Sequence, residues 1–219
     1  FWVIRQANDL LIYPTILMVV TGSQSWHLAN ENSDVDIRGI YIKPTEKILS
    51  LHKGRDTVEK QGALDIQFYE IEKALGMTLS HNGNIVELAL SPASVYITKA
   101  GIRFKEIAKK FLTRRLKKYY AGYATSQRKR AAQNRGGKAL VYSFRELFSG
   151  INLMKRGYIE FDFRVLWQQM KDDGIYKSGL LDQVFARPKW EVVGEEEMRQ
   201  FDHEWDALLR ILDFEADRS

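Results

Sequence analysis

Three aspartates carry the chemistry this sequence suggests: Asp34, Asp36 and Asp65. Asp34-Val35-Asp36 opens a strand-like run ending near Ile42. Side chains two apart on a strand point the same way, so both carboxylates leave one face while Val35 and Ile37 enter the core. Adjacent carboxylates repel each other unless a cation lies between them. An all-oxygen donor set with no His or Cys beside it favours Mg²⁺ or Mn²⁺ over zinc. Asp65 opens a further strand-like run, Leu64 to Tyr69, and would add a third carboxylate if the two strands are neighbours. Three carboxylates around two hard cations suit in-line attack of a hydroxyl on a nucleoside triphosphate. Arg38 shares the face of Asp34 and Asp36, as a weak phosphate ligand or as their ion-pair partner.

Gly22-Ser23 lies about ten residues upstream, after the apolar run Ile16 to Val20. A glycine after a strand lets the backbone approach a phosphate closely, and a serine donates to it from amide and hydroxyl. The pair is a weak signal alone and a stronger one ahead of Asp-x-Asp. The four histidines show no metal-ligand spacing, and there is no cysteine, which excludes a disulfide framework, a zinc-thiolate site and a cysteine nucleophile.

Gly-Ser, a spacer and Asp-x-Asp together resemble the DNA polymerase beta-like nucleotidyltransferase superfamily. Gly22-Ser23-x-x-Trp26 with Ser33-Asp34-x-Asp36-x-Arg38-Gly39 and Tyr41 resembles most closely its RNA-repair-pathway (RlaP-like) branch. Asp65, Asn84-Ile-Val-Glu87 and Tyr120-Ala-Gly-Tyr123 match further elements of that branch. Two positions depart from it: Gln24, where the branch often has Arg, and His27, where it often has Gly. The resemblance covers roughly residues 15–160. It implies Asp34, Asp36 and Asp65 as ligands of two Mg²⁺ (or Mn²⁺), with Asp65 activating the attacking hydroxyl. It implies Gly22 and Ser23 as holders of the β- and γ-phosphates of an NTP. It also implies basic side chains of a helical module on the triphosphate. Lys138 and Arg145, seven apart, are the candidates, and Lys138 follows Gly136-Gly137 at a helix start.

These residues need a scaffold. The first hundred residues alternate strand-like runs (16–20, 35–42, 64–69, 95–98) with helical patterns (3–12, 70–79, 84–90). From Gly101 the texture turns helical, with helices predicted over 102–112, 114–134, 138–156, 163–172 and 195–214. The fold class is α+β: a nucleotidyltransferase-type mixed sheet flanked by helices over 1–98, then a helical module over 99–219, the two sharing a cleft. Trp190, Trp205, Leu208, Leu209 and Leu212 read as helix packing residues.

Charge divides along the same line. The chain's 219 residues carry a net +5, but residues 99–156 hold 17 basic and two acidic residues, while 157–219 hold eight and 15. Such a block suits a polyanion, and RNA or tRNA is the expected acceptor. The opposing reading is a helix surface balanced by the acidic C-terminal third. Lys117-Lys118-Tyr119-Tyr120 and Gln127-Arg128-Lys129-Arg130 mix cations and aromatics as nucleic-acid contacts do. No run is apolar enough to cross a bilayer and the first residues do not read as a signal peptide, so a soluble cytoplasmic protein is expected. The start without Met suggests a trimmed N-terminus. The expected reaction is transfer of a nucleoside monophosphate to a hydroxyl. The alternatives are nucleotidylation of a protein or small molecule, and a non-catalytic RNA-binding module on the same fold.

Overall fold

The apolar run after Pro14 becomes β1 (Thr15–Thr21), buried from Thr15 to Val19 in the computed structural model, which describes residues 13–29, 33–60, 64–134, 136–186 and 193–219. The helical pattern at 3–12 and Trp190 lie outside the described residues. A one-turn helix, α1 (Gly22–Ser25), follows, then β2 (Val35–Tyr41), the short α2 (Thr45–Leu49), β3 (Thr57–Lys60) and β4 (Leu64–Glu70). After β4 come α3 (Ile71–Leu79), α4 (Gly83–Leu90), β5 (Ser94–Ile97) and α5 (Lys99–Lys109).

The five strands form one mixed sheet in the order β3-β4-β2-β1-β5. β2 runs antiparallel to β1 and parallel to β4, in a register that pairs Val35 with Leu64, Asp36 with Asp65 and Arg38 with Gln67. Alternation then sorts the faces. Met18, Ile37, Tyr41, Ile66 and Phe68 form a buried cluster, with Val20, Val35, Val58 and Leu64 packed on it. The other parity of β2 and β4 carries Asp36, Arg38, Asp65, Gln67 and Tyr69. The hydrophobic demand for one face fixes the register, and the register sets Asp36 beside Asp65.

The chain divides into two compact units, Phe1–Phe111 and Leu112–Ser219. The texture change near residue 99 marks the start of α5, a helix of the first unit. Thr98 caps it, accepting from the Gly101 amide at 3.3 Å, so it begins three residues before the predicted Ile102. A Cβ on Gly101 would overlap the Ile16 carbonyl, which shows how closely α5 lies on β1.

The second unit is helical: a 3₁₀ turn (Arg114–Leu116), then α6 (Lys117–Asn134), α7 (Gly137–Arg156), α8 (Phe163–Asp172), α9 (Leu180–Phe185) and α10 (Glu195–Arg218). α7 is its central helix, with nearly every residue from Leu140 to Met154 buried. The Trp205 indole N–H donates to Ser143 Oγ at 2.7 Å, and Ser143 Oγ donates to the Ala124 carbonyl at 2.9 Å, which ties α10, α7 and α6 together. Phe201, Trp205, Leu208 and Leu212 are the buried stripe of α10 and Leu209 is half-buried. Among the described residues, no helix is long and apolar enough to cross a membrane.

Candidate active site

The β1–α1 turn forms because the chain must leave the sheet sharply beside the start of β2. Thr21 is the register partner of Asp36, so Gly22 arrives directly against that carboxylate. Gly22 has φ +66°, and a Cβ there would overlap Asp36 Oδ2 and stand 2.9 Å from its Cγ. Conformation and space both demand glycine. Ser25 Oγ donates to the Gly22 carbonyl at 3.0 Å, and the Leu28 amide donates to the Ser23 carbonyl at 2.8 Å, which fixes the turn with Ser23 buried. His27 takes φ +54°. The position where the resembling branch often has Gly is therefore one whose backbone favours Gly, and His27 adopts that conformation without it.

Asp36 and Asp65 meet on neighbouring strands, and Arg38 clamps them. Its Nη2 stands 3.1 Å from Asp65 Oδ2 and 3.5 Å from Asp36 Oδ1, while Nη1 donates to the Asp65 carbonyl at 3.1 Å. Burial raises the Asp36 carboxyl above its ordinary value; Arg38 opposes that rise, and Asp65 and then Asp34 add to it. Arg38 has only a weak case from sequence, yet it reaches both carboxylates and the Asp65 carbonyl. The legible signal was its parity with Asp34 and Asp36. Beyond Asp65 the polar face continues: the Tyr69 hydroxyl donates to Gln67 Oε1 at 2.6 Å and Gln67 Nε2 to Glu59 Oε2 at 3.3 Å.

Asp34 sits in coil one residue before β2 and is exposed. It acts on Asp36 through charge, but among the described residues no three acidic or His side chains are gathered closely enough to hold a metal ion. The structure thus brings together Gly22, Ser23, Asp36 and Asp65, with Asp34 beside them. The donor chemistry of Asp36 and Asp65, oxygen-only and on adjacent strands, fits a hard divalent cation.

Lys138 and Arg145 belong to the second unit, both on α7. Lys138 is exposed near the helix start, whereas Arg145 is 4% exposed and forms an ion pair with the buried Glu146. The i, i+7 spacing does not give them a common environment. The cationic block is also divided in its uses. Lys117 pairs with Asp213, and Arg128 pairs with Asp202 and Asp206 while lying over the Trp205 ring. Lys155 and Arg156 share Asp173. Lys105 donates to Ser94 Oγ and the Ser91 carbonyl. Part of the acidic C-terminal third therefore balances the block, as the opposing reading held.

Two curated relatives are similar to this chain. The uncharacterized protein MJ0002 of Methanocaldococcus jannaschii is 30% identical over 162 residues, 71% of this chain and 66% of the relative. The uncharacterized protein YcgL of Bacillus subtilis is 30% identical over 83 residues, 37% of this chain and 32% of the relative. The chain thus spans just under two thirds of the first relative's length and about a third of the second's. The family model of the RNA repair pathway DNA polymerase beta family (RlaP) matches residues 4–197, taking in the Gly-Ser turn, all three aspartates and both helical candidates. The chain belongs to that family.

Proposed function

We propose that this chain transfers a nucleoside monophosphate from an NTP to a hydroxyl of RNA, tRNA included, releasing pyrophosphate. The observation that carries this reading is the Asp36–Asp65 register pair with the Gly22 turn closed against Asp36. Asp34, Asp36 and Asp65 would hold two Mg²⁺ or Mn²⁺ ions, which would neutralise charge on the triphosphate and the attacking oxygen. Asp65 accepts the proton of the acceptor hydroxyl, whose oxygen forms a bond to the α-phosphorus as the bond to the pyrophosphate oxygen breaks. Gly22 and Ser23 receive the β- and γ-phosphates. Arg38 keeps Asp65 aimed beside Asp36, and positioning of this kind supplies much of the rate in phosphoryl chemistry. Arg145, buried against Glu146 on α7, is not carried into this proposal, and Lys138 enters it on the resemblance alone.

A non-catalytic RNA-binding module is the second reading. The observation in its favour is the same Arg38, whose guanidinium already meets both carboxylates. Calorimetric titration with Mg²⁺-ATP separates the two: metal-dependent nucleotide binding supports the enzyme, and its absence supports the module. Transfer to a protein or small molecule would appear as label on those acceptors and none on RNA.

A further inference from the structure

We propose that the outward face of α6, centred on Lys118, Gly122, Ser126, Lys129 and Arg130, is the surface that grips the phosphate backbone of RNA. The proposal rests on RNA being the acceptor and adds where that RNA is held.

α6 has no acidic residue in its 18 positions. At 100° per residue its side chains fall into three sectors. Tyr120, Ala124, Gln127 and Ala131 make the buried sector. Lys117 and Arg128 make a second, directed at the carboxylates of α10. Lys118, Gly122, Ser126 and Lys129 follow one line at i, i+4, i+8 and i+11, with Arg130 beside it, and all five are exposed. Among the described residues no carboxylate pairs with these three cations. α10 thus neutralises one side of the helix and leaves the other charged. An unpaired cationic stripe on a helix with no acidic residue favours a polyanion, whose bound counterions it releases.

Gly122 sharpens the assignment. It stands mid-helix with an ordinary backbone, and a Cβ there would meet nothing within 4 Å. Packing does not require it, although glycine in a helix interior costs about 1 kcal/mol relative to alanine. With Ser126 it forms a low saddle between Lys118 and the Lys129–Arg130 pair, over about 16 Å of helix. A saddle of this kind admits a ribose-phosphate strand close to the helix. Tyr119 and Tyr123, stacked at 5.9 Å between ring centroids and half-buried, border the saddle where a splayed base could stack.

The test is fluorescence anisotropy with a labelled single-stranded 20-mer RNA across a salt series, without nucleotide or divalent cation. Lys118→Gln/Lys129→Gln/Arg130→Gln should lose about tenfold or more in affinity and lower the salt slope by about two to three. Arg103→Gln/Lys109→Gln/Lys110→Gln, which removes the same charge from exposed positions of α5 and its C-cap, should lose much less. Gly122→Gln should raise the thermal midpoint and still weaken RNA binding, which unfolding cannot explain. Equal losses in the two triple variants, no loss in the first, no RNA binding by the wild type, or tighter capture by phosphatidylserine vesicles than by RNA would each overturn the proposal. Asp36→Asn should bind this RNA as the wild type does, so failure of nucleotide transfer and failure of this surface are separate results.

Discussion

The Asp36 carboxylate fills the space that a side chain on Gly22 would need. The two residues adjoin across the β1–β2 ladder, and Gly22 holds φ +66° there. Gly22→Ala must both adopt a left-handed backbone, at about 1–2 kcal/mol, and push the carboxylate aside. The expected result is a protein destabilised by at least that amount in urea, with nucleotide transfer reduced about a hundredfold, the scale of a 1 Å misplacement.

Arg38 separates charge from geometry. Arg38→Gln removes a positive charge beside two carboxylates, so Mn²⁺ should bind more tightly, read by electron paramagnetic resonance of the free ion. Transfer should nevertheless fall tenfold or more, since Asp65 loses its clamp. Arg38→Lys restores the charge, but one ammonium does not reproduce a fork that spans two carboxylates and a carbonyl. It should return Mn²⁺ affinity toward wild type while leaving transfer low. Loss of Mn²⁺ affinity in Arg38→Gln would show that the residue is needed only to keep the site folded.

The raised Asp36 carboxyl predicts a pH signature. Its proton is held more tightly in the folded than in the unfolded chain, so ionising it costs stability as pH rises from the ordinary carboxylate range through the folded value. Asp36→Asn removes that cost. The variant should melt higher than wild type at neutral pH, with the difference closing below the ordinary carboxylate range, and it should be inactive. Thermal denaturation from pH 3 to 8 checks this; a variant that melts lower than wild type at neutral pH would refute the sign.

Ser143 links three helices. Ser143→Ala leaves the buried Trp205 N–H without its acceptor, at about 1–3 kcal/mol in urea denaturation. Mn²⁺ binding, which the proposed function places on the first unit, should be unchanged.

How much of this was legible beforehand depended on the kind of signal. Ile16–Val20 and Leu64–Tyr69 became strands because an apolar run and an alternating one each match a strand environment. β3 carries no strand signal in the sequence: Thr57-Val-Glu-Lys offers one apolar side chain, which is all that an edge strand needs. α2 and α9 are not legible in the sequence because five or six residues are too few to display a helical period. Asp-x-Asp announced itself by residue type, but the Asp36–Asp65 pairing rests on a parallel register between strands far apart in sequence, which no local pattern encodes. Helical spacing sets Lys138 and Arg145 seven apart on α7, but neighbouring helices decide which of them is buried, and spacing does not carry that. The charge block was visible as composition, and its division between α10 and solvent required the fold.

Nucleotide transfer at Asp36 is tested directly by labelling. Wild type and Asp36→Asn are incubated with α-³²P-labelled NTPs, Mg²⁺ and a pool of RNA including tRNA and broken RNA ends, and label on RNA is read with pyrophosphate release. Both products are expected, in step, from wild type and neither from Asp36→Asn. Undiminished transfer by Asp36→Asn, or none by wild type with any NTP, would contradict it.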